Sequence, residues 1–259
     1  MEVKKELKDF LVYSYFGIVP ECIYDDREYE KNNDNDEFND YCMKMVIIKA
    51  YSDATNQGAY NTLFDKNLSN IDKLKKSSEE AKKQSAKFLL EELKKLKNQH
   101  DFDAWHEELC NNIVNKYCEV KDNEKAFFTY GNAQKWVNMT IKYLWVLGML
   151  PNSIKEKDLH IPVDSFIIDA LYKGKEKDDN IDFPKIEGKK LKEGKYYEQP
   201  SSYFKPWSKW EKDEYYETFH DSIKGKKYNL SWENIKWIES AERRKRKERE
   251  DRYTGFFGE

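Results

Sequence analysis

Three polar residues share one side of a predicted helix in the stretch YGNAQKWVNMTIKYLW, residues 130–145. Lys135, Asn138 and Lys142 follow one another at spacings of three and four, and aromatic and aliphatic residues surround them. A lysine amine withdrawn from water in a cleft can act as a nucleophile. Two interpretations stay open: the polar row lines a cleft, or it is the solvent-exposed side of a core helix.

A carboxylate opens the next apolar stretch, HIPVDSFIIDAL, residues 160–171. Asp164 stands where a side chain can cap the free N–H groups of a helix and interact with the positive end of its dipole. An aspartate that opens a helix, after a lysine on a central helix, is also an arrangement that catalysis uses. Two interpretations of Asp164 stay open: it is simply an N-cap, or it also serves as a reactive carboxylate.

The run from Gly131 to Asp164 resembles the core of the helix-hairpin-helix DNA glycosylases. In that superfamily a glycine-containing hairpin leads into a helix with a lysine, and a Val-Asp-Thr-His-like stretch carries the essential aspartate. Here YGNAQK supplies Gly131 and Lys135, and PVDSFI supplies Asp164. The interval of 29 residues (164 − 135) is similar to that of the archaeal 8-oxoguanine glycosylases. The hairpin keeps one glycine, and Ser165 and Phe166 replace Thr-His.

This resemblance covers about 40 of 259 residues and implies base excision from duplex DNA. A damaged or modified base would be flipped into a pocket walled by Tyr130, Trp136 and Phe128. Lys135 would attack the sugar carbon, and Asp164 would stabilise the positive charge that develops on the sugar. Backbone N–H groups near Gly131 would hold a phosphate. The substrate-binding residues that this implies are Tyr130, Gly131, Gln134, Trp136, Asn138 and Lys142. No cofactor and no metal are expected.

The pairing of YGNAQKW with HIPVDSF is also similar to that of a broad bacterial family that brings no function with it. The rival prediction is accordingly a non-catalytic helical protein that binds a protein or nucleic-acid partner, for instance in phage–host conflict. Its contacts would come from the acidic segment 21–40, with nine acidic and two basic residues, or from the basic tail 241–253. Patterns of P-loop enzymes, HExxH metalloproteases, GxSxG hydrolases and kinases are absent from the sequence.

One further group of residues has side chains that can bind a metal ion. His106 and Cys110 are four residues apart on a predicted helix, and Cys118 follows two turns later. That spacing lets a histidine and a cysteine meet one metal ion, but a fourth ligand is not evident. Because helical cysteines are commonly buried in a core, the sequence favours packing and no metal.

The bulk composition bounds the fold. A chain of 259 residues with 39 % hydrophobic content can bury a core in one helical domain or in two lobes, about 1–100 and 101–240, before a charged tail at 241–259. The net charge of −3 gives no global attraction to nucleic acid or membrane. Four cysteines without CxxC spacing, no long apolar run and no signal-peptide pattern favour the cytoplasm and exclude a membrane.

Hydrophobic periodicity predicts a mainly α, multi-helix globular bundle. One or two helices are expected in 66–99, with a break at Ser77–Ser78, and 174–206 is expected to be a long loop with a short hairpin. Trp207, Trp210, Tyr215, Trp232 and Trp237 are expected to close the core. The other predicted helices cover 3–16, 41–51 and onward toward residue 60, 101–118, 132–147, the stretch after Pro162, and most of the chain after 206.

Overall fold

The protein is mainly helical in the part that the computed structural model describes. That part comprises residues 5–18, 36–55, 71–96, 101–118, 128–173, 181–186 and 204–257. It contains α-helices and no named strand, so the predicted mainly α class is confirmed. The helices are α1 (Lys5–Phe16), α2 (Asp36–Thr55), α3 (Ile71–Lys95), α4 (Phe102–Cys118), α5 (Tyr130–Val146), α6 (Ser165–Lys173), a π-helix (Glu214–His220), the short α7 (Asp221–Ile223) and α8 (Leu230–Phe257). Two 3₁₀-helices cover Glu156–Asp158 and Trp207–Lys209.

The chain divides into two compact units. Unit 1 contains residues 1–128 and 132–159, and unit 2 contains residues 129–131 and 160–259. The division falls at 128–132 and at 159–160, whereas the sequence suggested lobes that meet near residue 100. The first two residues of α5, Tyr130 and Gly131, therefore belong to unit 2 and the rest of α5 to unit 1.

Helix α5 supplies much of the core of unit 1. Trp136, Val137 and Ile141 are buried, as the apolar periodicity of residues 132–147 predicts. The helix ends at Val146, and Gly148 follows it with a φ of 70° that few other residues adopt. The N–H groups of Gly148 and Met149 donate to the Trp145 and Leu144 carbonyls at 3.0 and 2.8 Å. These two bonds form a Schellman motif and satisfy carbonyls that the helix end leaves open.

Helix α3 corrects one prediction. It runs unbroken through Ser77 and Ser78, and Ser78 is buried. A serine inside a helix is only a few tenths of a kcal/mol less favourable than a good helix former. Packing against the core therefore determines whether the helix continues through the two serines. Buried Ala81, Leu89 and Leu93 mark the side of α3 that enters the core of unit 1.

Unit 2 is organised by α6, which packs against α8. Trp210 and Tyr215 are buried as predicted, whereas Trp207, Trp232 and Trp237 are half-buried. Helix α8 continues through the predicted basic tail as far as Phe257. Among the tail side chains that the structure describes, Glu242, Arg243, Lys245 and Arg246 are exposed.

Several predictions fall partly or wholly outside the described residues. These include the acidic segment up to residue 35 and most of the predicted 174–206 loop. In the described part of that loop, Lys185 and Phe204 form an isolated antiparallel bridge. The Asp/Asn-rich composition of the acidic segment 21–40 favours a loop, but its last residues, 36–40, begin α2 instead, because aspartate and asparagine also suit helix starts. Among the described residues, no helix has the length and apolar character required to cross a membrane.

Candidate functional site

The polar row of α5 is buried. The Lys135 side chain is 8 % exposed and Asn138 is 1 % exposed, while Lys142 is half-buried. The interpretation of Lys135 as a solvent-exposed lysine on a core helix is therefore wrong. A buried polar side chain requires partners, since its removal from water is otherwise unfavourable.

Asn138 and Gln134 belong to a hydrogen-bond network inside unit 1. The Asn138 Nδ2 donates to Gln134 Oε1 at 3.0 Å, and Asn138 Oδ1 lies 2.8 Å from His106 Nε2. Cys110 Sγ is 3.7 Å from the same His106 nitrogen. The three residues Gln134, Asn138 and His106 thus hold α4 and α5 together. His106 and Cys110 are both fully buried in this core.

Trp136 and Phe128 are core residues of unit 1 and do not form the wall of an open pocket, which corrects that prediction. The Trp136 indole N–H donates to the Ile47 carbonyl at 3.1 Å, and the side chain has no exposed surface. The Phe128 ring stacks on Tyr117, with centroids 4.2 Å apart. The Tyr51 ring packs edge-on against Trp136 at 4.8 Å. These aromatic contacts leave the Trp136 ring unable to stack on a base in this conformation.

Tyr130 and Gly131 pack inside unit 2. The Gly131 N–H donates to the Trp210 carbonyl at 2.9 Å, so this amide does not hold a phosphate. A Cβ at Gly131 would lie 1.8 Å from the Trp207 carbonyl oxygen. The Tyr130 ring lies 5.6 Å from Tyr215, between ring centroids, and is also buried. The glycine thus permits a close backbone approach, and the motif YGN has a packing role here.

Asp164 is the N-cap of α6. Its Oδ1 accepts hydrogen bonds from the Phe166 and Ile167 amides at 2.9 and 3.1 Å. Its Oδ2 accepts one from the Trp237 indole on α8 at 3.0 Å. The carboxylate is 8 % exposed and is held in one orientation by three N–H donors. The N-cap interpretation is confirmed, and a helix N-terminus also favours the negative charge.

A second polar cluster in unit 1 was not predicted. Tyr15 and Tyr143 both donate to Asp53 Oδ2, at 2.9 and 2.5 Å, and Lys49 Nζ lies 2.9 Å from Asp53 Oδ1. The two hydroxyl oxygens are 2.9 Å apart. Burial raises the pKa of Tyr143 well above its usual range, and the hydrogen bond to Asp53 raises it further. The spacing of Lys49 and Asp53 is visible in the sequence, but their tyrosine partners are 38 and 90 residues from Asp53.

This cluster predicts an alkaline loss of stability. Burial also raises the pKa of Tyr15. Burial lowers the pKa of Lys49, but the hydrogen bond and the negative charge of Asp53 outweigh it, so the pKa of Lys49 is raised as well. The pKa of each of these groups is higher in the folded state than in the unfolded state. The stabilisation that the protonated groups give is therefore fully present below about pH 10 and is lost as pH rises above it. For buried Tyr143 we expect a loss of up to about 1.4 kcal/mol per pH unit.

Urea unfolding at pH 9 and pH 11 measures this effect. We expect Tyr143→Phe to lose less free energy of unfolding between the two pH values than the wild type. Tyr41→Phe, which changes an exposed tyrosine outside the cluster, is the matched control and should behave as the wild type. Equal losses in the wild type and Tyr143→Phe would contradict the assignment of alkaline sensitivity to this cluster.

The residues predicted to form a site are distributed over both units. Of those residues, unit 2 holds Tyr130, Gly131 and Asp164, and unit 1 holds Gln134, Lys135, Trp136, Asn138 and Lys142. Within unit 1 the structure joins Gln134 and Asn138 directly. Comparisons of this chain with protein-family models, with curated proteins and with solved structures give no match.

Proposed function

We propose that this protein is a DNA base-excision glycosylase that acts on a damaged or modified base. The observation that carries the proposal is the buried carboxylate of Asp164, held by three N–H donors. A carboxylate so oriented is preorganised to stabilise positive charge, because it does not have to reorient as the charge develops. Asp164 would act on the sugar in this way as the bond to the base lengthens.

Lys135 is the nucleophile of the proposed reaction. Its side chain is buried on α5, a setting in which an amine can be desolvated. The lysine nitrogen forms a bond to the sugar C1′ while the glycosidic bond breaks, and the base leaves with the bonding electrons and takes up a proton. Loss of a proton from the lysine nitrogen and opening of the sugar ring then give a Schiff base, which borohydride reduces.

A non-catalytic interaction protein is the second candidate. It is favoured by large apolar side chains at the surface of unit 1: Phe10 on α1 is 62 % exposed and Ile48 on α2 is 61 % exposed. Leu11 and Tyr13 on α1 are exposed as well. Exposed apolar side chains that occur near one another are typical of interaction surfaces.

Borohydride trapping on duplexes with abasic, oxidised or modified bases tests the proposed enzyme. We expect a covalent adduct with the wild type and none with Lys135→Ala. Lys116→Ala is the matched control, because it removes a half-buried lysine of α4 that lies outside the proposed site and should keep the adduct. Circular dichroism of each variant shows whether the fold is retained.

Asp164→Asn separates the cap from the chemistry. The asparagine oxygen keeps the helix cap, but its amide nitrogen cannot accept from the Trp237 indole, so the free energy of unfolding should fall by about 1 to 3 kcal/mol. Loss of the negative charge should lower the rate of base release by about 100-fold, the size of a typical electrostatic contribution. If the wild type forms no adduct and releases no base from any of these duplexes, the glycosylase proposal is wrong and the interaction protein is favoured.

A further inference from the structure

Two buried histidines lie against each other in unit 2. The ring centroids of His160 and His220 are 4.1 Å apart, and one ring nitrogen of each lies within 4.8 Å of the other. Both side chains are buried. Two imidazoles are poor choices for simple packing, because each carries polar nitrogens that lose water on burial. Their proximity therefore indicates a role for the nitrogens.

A π-helix brings one of these histidines into place. Tyr215 and His220 are five residues apart in the π-helix, and their rings are nearly parallel, with centroids 6.0 Å apart. In an α-helix, residues five apart would point about 140° away from each other. The i→i+5 bonding of a π-helix returns them to the same side. Since π-helical turns are rare and occur frequently at functional sites, this one marks the histidine pair.

A neighbouring hydroxyl orients one of the imidazoles. The Tyr215 hydroxyl lies 3.2 Å from His160 Nδ1, whereas the nearest Asp221 carboxylate oxygen is 3.9 Å from His220 Nδ1, too far for a hydrogen bond. Histidines that bind metals commonly have one ring nitrogen directed at an oxygen, which selects the tautomer and directs the other nitrogen to the metal. Here that arrangement assigns Nε2 as the ligand atom of His160.

We infer that His160 and His220 bind one divalent transition-metal ion of the zinc class. Imidazole nitrogen suits such ions, and two nitrogens on one tetrahedral zinc ion lie about 3.3 Å apart. The histidine nitrogens therefore need to approach by about 1.5 Å at most, which small side-chain rotations achieve. Water or further protein ligands would complete the coordination. This inference does not rest on the proposed glycosylase function, which needs no metal.

Metal titration of the full chain tests the inference. After treatment with a chelator, the protein is titrated with zinc chloride by calorimetry and with cobalt(II) by absorption and NMR. We expect one zinc ion per chain and cobalt(II) d–d bands in the visible range. His160→Gln and His220→Gln should each weaken zinc binding at least tenfold, and Tyr215→Phe, which changes a positioning residue, about tenfold. His100→Gln, at a histidine outside the pair, is the control and should bind zinc as the wild type does.

The wild type provides a test that no unstable variant can confuse. Cobalt(II) bound by two imidazoles should give paramagnetically shifted N–H signals from two histidines in the NMR spectrum of the folded protein. The inference is overturned if the wild type binds no zinc, if the cobalt form lacks these signals, or if both glutamine variants bind zinc as the wild type does. Base-release activity is measured separately with chelator present. Because that activity needs no metal, its presence or absence tests the glycosylase proposal independently of the metal site.

Discussion

Replacement of Trp136 by alanine is expected to lower the free energy of unfolding by about 4 kcal/mol. The side chain has no exposed surface, and its indole N–H donates to the Ile47 carbonyl on α2. Alanine would leave a cavity beside Tyr51 and Phe128 and would remove the partner of a buried carbonyl. Urea unfolding followed by circular dichroism measures the change.

Trp145→Ala is the matched control on the same helix. Trp145 is only half-buried, so its removal should lower the free energy of unfolding by about 1 kcal/mol. Trp136→Phe should have an intermediate effect, since phenylalanine keeps an aromatic ring but cannot donate to Ile47. If Trp136→Ala weakened DNA binding by the folded protein without any loss of stability, the placement of Trp136 in the core would be contradicted.

Replacement of Gly131 by alanine is expected to destabilise the protein by about 3 kcal/mol. The added Cβ would lie 1.8 Å from the Trp207 carbonyl oxygen and 2.9 Å from its carbon, and these are backbone atoms that no rotamer change removes. Gly131 lies within α5 with ordinary helical geometry, where alanine by itself would be favoured by about 1 kcal/mol. The predicted sign therefore depends entirely on the close approach of the backbone.

Gly148→Ala provides the comparison for Gly131→Ala. Gly148 has nothing within 4 Å of an added Cβ but has a φ of 70°, so alanine there should cost about 1 kcal/mol through backbone strain alone. Thermal and urea unfolding of both variants measures the two effects. A Gly131→Ala protein as stable as the wild type would show that the Trp207 backbone does not approach α5 as described.

Local patterns predicted the helices well and their partners poorly. The apolar periodicity in residues 132–147 predicted α5, and the position of Asp164 before an apolar run predicted the N-cap of α6. Both depend on residues within a few positions along the chain. The predicted break in α3 at Ser77–Ser78 was wrong, because packing of buried Leu89 and Leu93 outweighs the weak helix preference of two serines.

The roles of individual side chains depended on contacts between distant residues. Trp136 and Gly131 had suggested a base-binding wall and a phosphate-binding hairpin, but their partners Ile47, Trp207 and Trp210 lie far away in the sequence. Nothing in a helical pattern distinguishes a tryptophan that faces a pocket from one that faces another helix.

By itself the sequence determined the helical class, the start of α6 at an aspartate cap and the central position of α5. Each follows from local hydrogen bonding and from the 3.6-residue periodicity of apolar side chains. Only the tertiary structure decided which polar side chains meet: Tyr143 with Asp53, Asn138 with His106, and His160 with His220. The last pair is 60 residues apart (220 − 160) and depends on a π-helix, whose altered periodicity an α-helical pattern does not contain.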